Sequence, residues 1–184
     1  FAGVIMALRA RPYRAKARGG VILAAGGFIF NKKRVNECNP AYAKCLPLGT
    51  YADDGTGIAL GESVGGITSH MDKMSAWRFY VPPEALMQGV LVDRQGRRIC
   101  SEDLYGGKQG DFIVLKAGGK AFLVFDSRTY KEAKSHLLDQ CAFFQRLTMI
   151  PMVLMSRKKA PSLAKLARKI KVSPEGLEAT MKQY

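Results

Sequence analysis

Acid is what this chain is short of. Its 184 residues hold 15 Asp and Glu against 29 Lys and Arg, a net charge of +14. Long apolar runs are missing too. The longest candidate, "LTMIPMVLM", is far below the roughly 18 residues of a spanning helix and carries Pro151. No CxxC pair or metal-knuckle spacing relates Cys38, Cys45, Cys100 and Cys141, so reduced thiols in a cytoplasmic protein are expected. His70 and His136 have no partners at ligand spacing, and no metal is expected. Ser101 has no base in sight, which leaves a Ser-His-Asp triad unsupported. There is no GxGxxG and no Walker pattern. In "FAGVIMALRARPYR" the apolar part precedes the basic part, the reverse of a secretion signal.

What is present is enough to bury a core. The chain is 47% apolar and 24% charged, which excludes a disordered tail. Of the basic residues, Arg9, Arg11, Arg14, Lys16 and Arg18 cluster, and most others are scattered. The aromatic interleaving of single-strand binders is absent, so no nucleic-acid partner is expected. A rival reading keeps the charge in play as a basic module for nucleic acid or acidic lipid, with steep salt dependence. The chain starts at Phe1 rather than Met and reaches Tyr184 within a helical pattern. It is expected to be a piece of a longer protein that holds the acidic complement.

Residues 1–8 read as a strand, and "RARPYRAKAR" as a turn and a second, basic strand. "GGVILAAGG" reads as a short buried strand bounded by glycines, completing a small meander. "NKKRVNECNP" is a short helix or turn stopped before Pro40. "DGTGIALGESVGG" is a helix of about ten residues with Asp54 as its N-cap. "GVLVDRQGRRICSED" is a hairpin with strands at 90–93 and 98–101, and "KAFLVFD" is another strand. A helix follows over 127–144, capped by Asp126 or Ser127. "SLAKLARKIKV" shows one apolar helical face, and Ser173-Pro174 opens a last helix. A boundary falls near 66–72, dividing the chain into 1–68 and 69–184.

Three stretches carry the functional reading. Ala24-Ala25-Gly26-Gly27 ends the apolar run with no side chain to fill the space, which suits a tight turn or a ligand. The glycine-rich loop before Ile58 offers free helix N–H groups to an anion or a polar ring edge, or is simply a capped helix. "GVLVDRQGRRICSEDLYGG" ends in an acidic, tyrosine-containing loop where Tyr105 is a loop anchor or a proton carrier. Trp77, Phe79 and Tyr80 beside Pro82-Pro83 could wall an apolar pocket or be plain packing. Glu102 and Asp103 suit holding that loop through backbone N–H groups better than chemistry.

In this order the three resemble the flavoprotein family of fumarate reductases, succinate dehydrogenases, aspartate oxidases and 3-ketosteroid dehydrogenases. Its "VVLATGG" strand, "GDGI" helix and "G(I/V)LVNxxGxRFxNE" hairpin read here as residues 21–27, 55–58 and 89–102. The closing "SLAKLARKIKVSPEGLEATMKQY" is similar to the family's stretch before its C-terminal part. The resemblance implies an α+β chain: the edge of a glutathione-reductase-like FAD-binding domain, then an incomplete α+β capping domain. It implies FAD as cofactor, with Ala25, Gly26, Gly27, Asp54, Gly55, Thr56 and Gly57 as cofactor-binding residues. Thr56 stands where the family has the Asp of "GDG", so no carboxylate contact to FAD is expected from that position.

The dicarboxylate reductases carry a "HPT" and a "TExxRGEG" before the hairpin. Here that region is "MSAWRFYVPPEALMQGVLV", which keeps Arg78 as its only cation. Two carboxylates need bidentate cations, so fumarate or succinate is the secondary expectation. "SAWRFYVPPEAL" and "RRICSEDLYGG" look like the 3-ketosteroid-Δ4-(5α)-dehydrogenases. That implies an apolar steroid-like substrate walled by Trp77, Phe79 and Tyr80, a hydride passed to flavin N5, and a proton taken by Tyr105. The remaining segments of the same flavoprotein are the implied partners, and this chain alone is expected to be inactive.

Overall fold

The computed structural model describes residues 3–8, 11–78 and 81–184. They fall into two units, Phe1–Lys73 and Met74–Tyr184. Among the described residues the structure is rich in helices, with two small antiparallel two-stranded sheets.

In the first unit β1 (Gly3–Leu8) pairs with β2 (Arg11–Lys16), Gly3 opposite Lys16 and Leu8 opposite Arg11. Helix α1 (Lys32–Cys38) starts at Asn31, whose side chain accepts from the Arg34 N–H, and a 3₁₀ turn over Pro40–Tyr42 follows. Helix α2 is Thr56–Ser63. Its cap position is Gly55, in the left-handed region, where Asp54 had been expected. Asp54 still contributes, its Oδ1 accepting from Thr56 N–H at 2.8 Å.

The expected buried strand over residues 19–27 does not form. Ile22 is 93% exposed, and Val21 and Leu23 are exposed beside it. A strand exists only where a neighbour takes its N–H and C=O groups. Among the described residues β1 and β2 pair only with each other, so the segment has no ladder to join and the meander is not made.

In the second unit the hairpin turn is as expected: Gly96 N–H donates to Asp93 O, and Arg97 N–H donates to Asp93 Oδ1. Its second arm is only a bridge, Val92 to Arg98. Strand β3 (Val90–Val92) instead pairs with β4 (Phe122–Val124), Val90 opposite Val124. All three β3 residues are buried, so the strand reads as a continuous apolar run without alternation.

Helix α3 (Gly106–Ala117) follows the Tyr105 loop, in a stretch to which the sequence reading assigns no element. The expected 127–144 helix holds only as α4 (Ser127–Ser135), capped by Asp126, and a separate helix, α5 (Phe143–Leu154), begins where it was expected to end. The break comes at Ala142, which is extended and whose N–H donates to the Gln145 side chain, a local start signal for α5. Helices α6 (Leu163–Ile170) and α7 (Pro174–Gln183) begin at Ser162 and Ser173, each accepting from an N–H three residues on. One apolar cluster joins Leu86, Ala133, Leu137, Cys141, Met149 and Val153. The other joins Val90, Val92, Val124, Ala167, Val172 and Leu177, so β3 and β4 anchor α6 and α7.

Candidate functional site

In the first unit the small-residue turn is stitched to the start of α2. Gly55 N–H donates to Gly27 O at 3.0 Å, and Phe30 N–H donates to Asp53 O at 2.9 Å. Gly26 has φ +79, and a Cβ there would collide with the Asp53 carboxylate. A Cβ on Gly57 would come within 2.6 Å of the Ala25 Cβ. So Gly26 and Gly57 are glycines because the chain packs against itself here. Gly27 differs: a Cβ there would meet nothing within 4 Å, leaving open space beside the turn.

The turn faces a helix N-terminus, where unpaired N–H groups and the helix dipole favour a polar or anionic group. Thr56 N–H is held by Asp54, and the Thr56 side chain together with that N–H keeps the Asp54 carboxyl below its usual range. The N–H groups of Gly57 and Ile58 carry no hydrogen bond among the described residues. An open cleft of about 490 Å³ lies against this start, lined by Asn31, Lys32, Arg34, Asp54, Gly55 and Thr56 among others. Arg34 is anchored by Glu62 at 2.6 Å.

In the second unit Tyr105 occupies the cap position of α3 and is 64% exposed. Its ring meets Trp77 edge to face, with centroids 4.6 Å apart and planes at 81°. The Trp77 segment is strapped along α3: Ala76 N–H donates to Asp111 Oδ1 at 2.9 Å and Arg78 N–H to Gly106 O at 3.4 Å. Phe79 and Tyr80, expected to wall the same pocket, lie outside the described residues. The loop before Tyr105 is fixed from both sides. Glu102, almost fully buried, accepts from Leu91 N–H at 2.7 Å and holds Arg98, whose guanidinium it keeps above its ordinary pKa. Buried Gln109 donates to Glu102 O at 2.8 Å.

The sequence reading had not picked out Gln109 or Asp111. The glycines at 106, 107 and 110 hid the helix that carries them. The available signal was polar residues spaced along a run ending in "FIVL" and Gly118. His70 bonds Ser69 and His136 bonds Asp139, and no group of metal-binding side chains occurs among the described residues. The four cysteines are free, and no helix among those residues is long and apolar enough to cross a membrane.

Comparison with known proteins is decisive at the family level. The FAD binding domain family matches residues 1–184. The chain belongs to this family. Among its relatives is the 3-oxo-5-alpha-steroid 4-dehydrogenase of Comamonas testosteroni, 36% identical over 135 residues, 71% of this chain and 25% of that protein. The cytochrome-type fumarate reductase of Shewanella frigidimarina is 26% identical over 172 residues, 89% of this chain and 28% of that protein. The 3-ketosteroid-Δ4-(5α)-dehydrogenase of Rhodococcus jostii, solved with 4-androstene-3,17-dione, shares the fold at a TM-score of 0.77 and 24% identity. It aligns with 100% of this chain and 36% of its own. The chain thus spans about a quarter to a third of the relatives' length. Open space at Gly27 and two unclaimed N–H groups on α2 fit a flavin dinucleotide, whose edge and phosphates accept hydrogen bonds.

Proposed function

We propose that this chain is part of an FAD-dependent oxidoreductase that introduces or reduces a C=C bond next to a ketone in a steroid-like substrate. The observation that carries the reading is the 36% identity to a steroid 4-dehydrogenase within a chain that belongs throughout to an FAD-binding family. Residues 1–68 form part of the FAD-binding domain, with Ala25, Gly26, Gly27 and residues 54–57 against the cofactor. Residues 69–184 form the capping domain. The rest of the flavoprotein is the partner of both, and the four free thiols suit a cytoplasmic protein.

FAD, when bound, supplies the two-electron acceptor or donor. The chain's own part is the proton. Tyr105 Oη donates it when the double bond is reduced and, as phenolate, takes it when the bond is formed. Its exposure leaves the phenol open to a substrate, while the Trp77 edge and the Glu102–Gln109 ties hold the ring in place. Trp77 itself is a flat apolar wall suited to fused rings. Dicarboxylate binding is disfavoured, because Arg78, the only cation of that segment, rests against Met152 Sδ at 3.9 Å.

The test uses the full-length protein. It is expected to show oxidised-flavin bands near about 370 and 450 nm. These should bleach with a 3-ketosteroid and persist with succinate. Tyr105→Phe should keep the bands and lose turnover by about 100-fold or more. A colourless protein would overturn the family chemistry, and an undiminished Tyr105→Phe enzyme would overturn the proton assignment.

A further inference from the structure

Helix α3 breaks a local rule. It carries glycines at 106, 107 and 110, and glycine is a poor residue inside a helix. Such a conflict has its reason in packing or function. Gly106 and Gly110 stand four residues apart and so share one face, and Gly107 and Asp111 do the same beside them. Residues 75–78 run across this bare face. A Cβ on Gly110 would collide with Ala76 O, and one on Gly107 would come within 3.3 Å of Ser75 Oγ. One on Gly106 would meet Arg78 O at 3.4 Å and the Trp77 ring at 3.7 Å. Asp111 closes the seat. Its Oδ1 accepts from Ala76 N–H at 2.9 Å, one residue before Trp77. The same helix carries Tyr105 at its cap position. Indole and phenol ring are thus fixed to one rigid element, Tyr105 by the chain itself and Trp77 through its segment's bond to Asp111.

We infer that Asp111 is a positioning residue: it holds Trp77 at the distance from Tyr105 that admits a flat apolar substrate, and it acts on turnover through that indole. Its kinetic consequence rests on the steroid-like substrate reading; its geometric one does not. Without the Oδ1 acceptor, Ala76 N–H turns to water and the segment lifts from α3. Tyr105 stays, because Glu102 and Gln109 tie its loop independently. The loss then falls on binding the ring system rather than on moving the proton, and so on KM rather than kcat.

The experiment is fluorine NMR of the full-length protein labelled with fluorotryptophan, the Trp77 resonance being the one lost in Trp77→Phe. That resonance feels the ring current of Tyr105, so Tyr105→Ala marks where an indole without its partner ring falls. Asp111→Ala should move it toward that position, and Gly110→Ala, which lifts the same segment from below, should do likewise. Asp111→Asn keeps an Oδ1 acceptor and should leave it in place. With a 3-ketosteroid, Asp111→Ala should raise KM about 10-fold and lower kcat less than about 3-fold. Added to Trp77→Ala it should cost nothing further, because its route to the substrate is already gone. Flavin absorbance and thermal midpoint check that the variants are folded. A Trp77 resonance unmoved in Asp111→Ala and Gly110→Ala, or a full further loss in the double variant, would overturn the inference. A wild type that does not turn over the 3-ketosteroid would overturn the substrate reading instead, and the resonance would still decide whether Asp111 positions Trp77.

Discussion

At the scale of single residues, Glu102 holds the most. Its carboxylate takes a backbone N–H from β3 and an arginine from the hairpin, and its carbonyl takes Gln109 from α3. Glu102→Ala would strip Leu91 N–H of its buried acceptor. We expect a loss of about 1.5–3 kcal/mol, read from chemical denaturation of the full-length protein, with the loop carrying Tyr105 loosened. A loss below about 0.5 kcal/mol would mean that water replaces the carboxylate. This structural role was legible in the sequence, because a carboxylate just after a hairpin can turn back onto it. Which N–H it takes was not legible, since that depends on β3 pairing with β4 about thirty residues on.

Elements were legible where a cap announced them. Ser173-Pro174 marks a helix start chemically and holds, while α6 was legible from its apolar face and is capped by Ser162. Where the start signal is a glycine-rich turn, as at α3, or a break inside an apolar stretch, as before α5, pattern alone ran through it. The segment over residues 19–27 failed for another reason. Strand formation is a property of two chains, and one sequence window shows only one of them.

The cap of α4 gives a prediction with a sign. Asp126 accepts from Thr129 N–H, which holds its carboxyl below the ordinary aspartate value of about 3.9. A depressed folded pKa stabilises above the unfolded pKa and is lost as pH falls through the folded value. The thermal-midpoint advantage of wild type over Asp126→Asn should therefore be flat above about pH 5 and shrink in more acidic solution. An advantage that grows on acidification would contradict the cap assignment.

At the scale of the whole molecule, residues 15–73 bury less apolar surface than the second unit. The second holds two apolar clusters. In the first, over residues 15–73, the buried apolar side chains are Val35 and Tyr42, while Ile22, Leu46, Tyr51 and Ile67 are exposed. Such a surface needs covering, and the FAD-binding relatives are three to four times longer than the matched span. We expect the 184-residue chain alone to lose flavin on gel filtration, whereas the full-length protein should keep it. Stoichiometric flavin on the short chain would show that the first unit suffices as a cofactor site.

Trp77 is the only tryptophan in the sequence, and its indole meets Tyr105 in a T-shaped contact. The tryptophan emission of this chain, excited selectively, therefore comes from one place, beside Tyr105. Anything that slides between those two rings, or pulls them apart, changes the colour and yield of that light before any chemistry has begun.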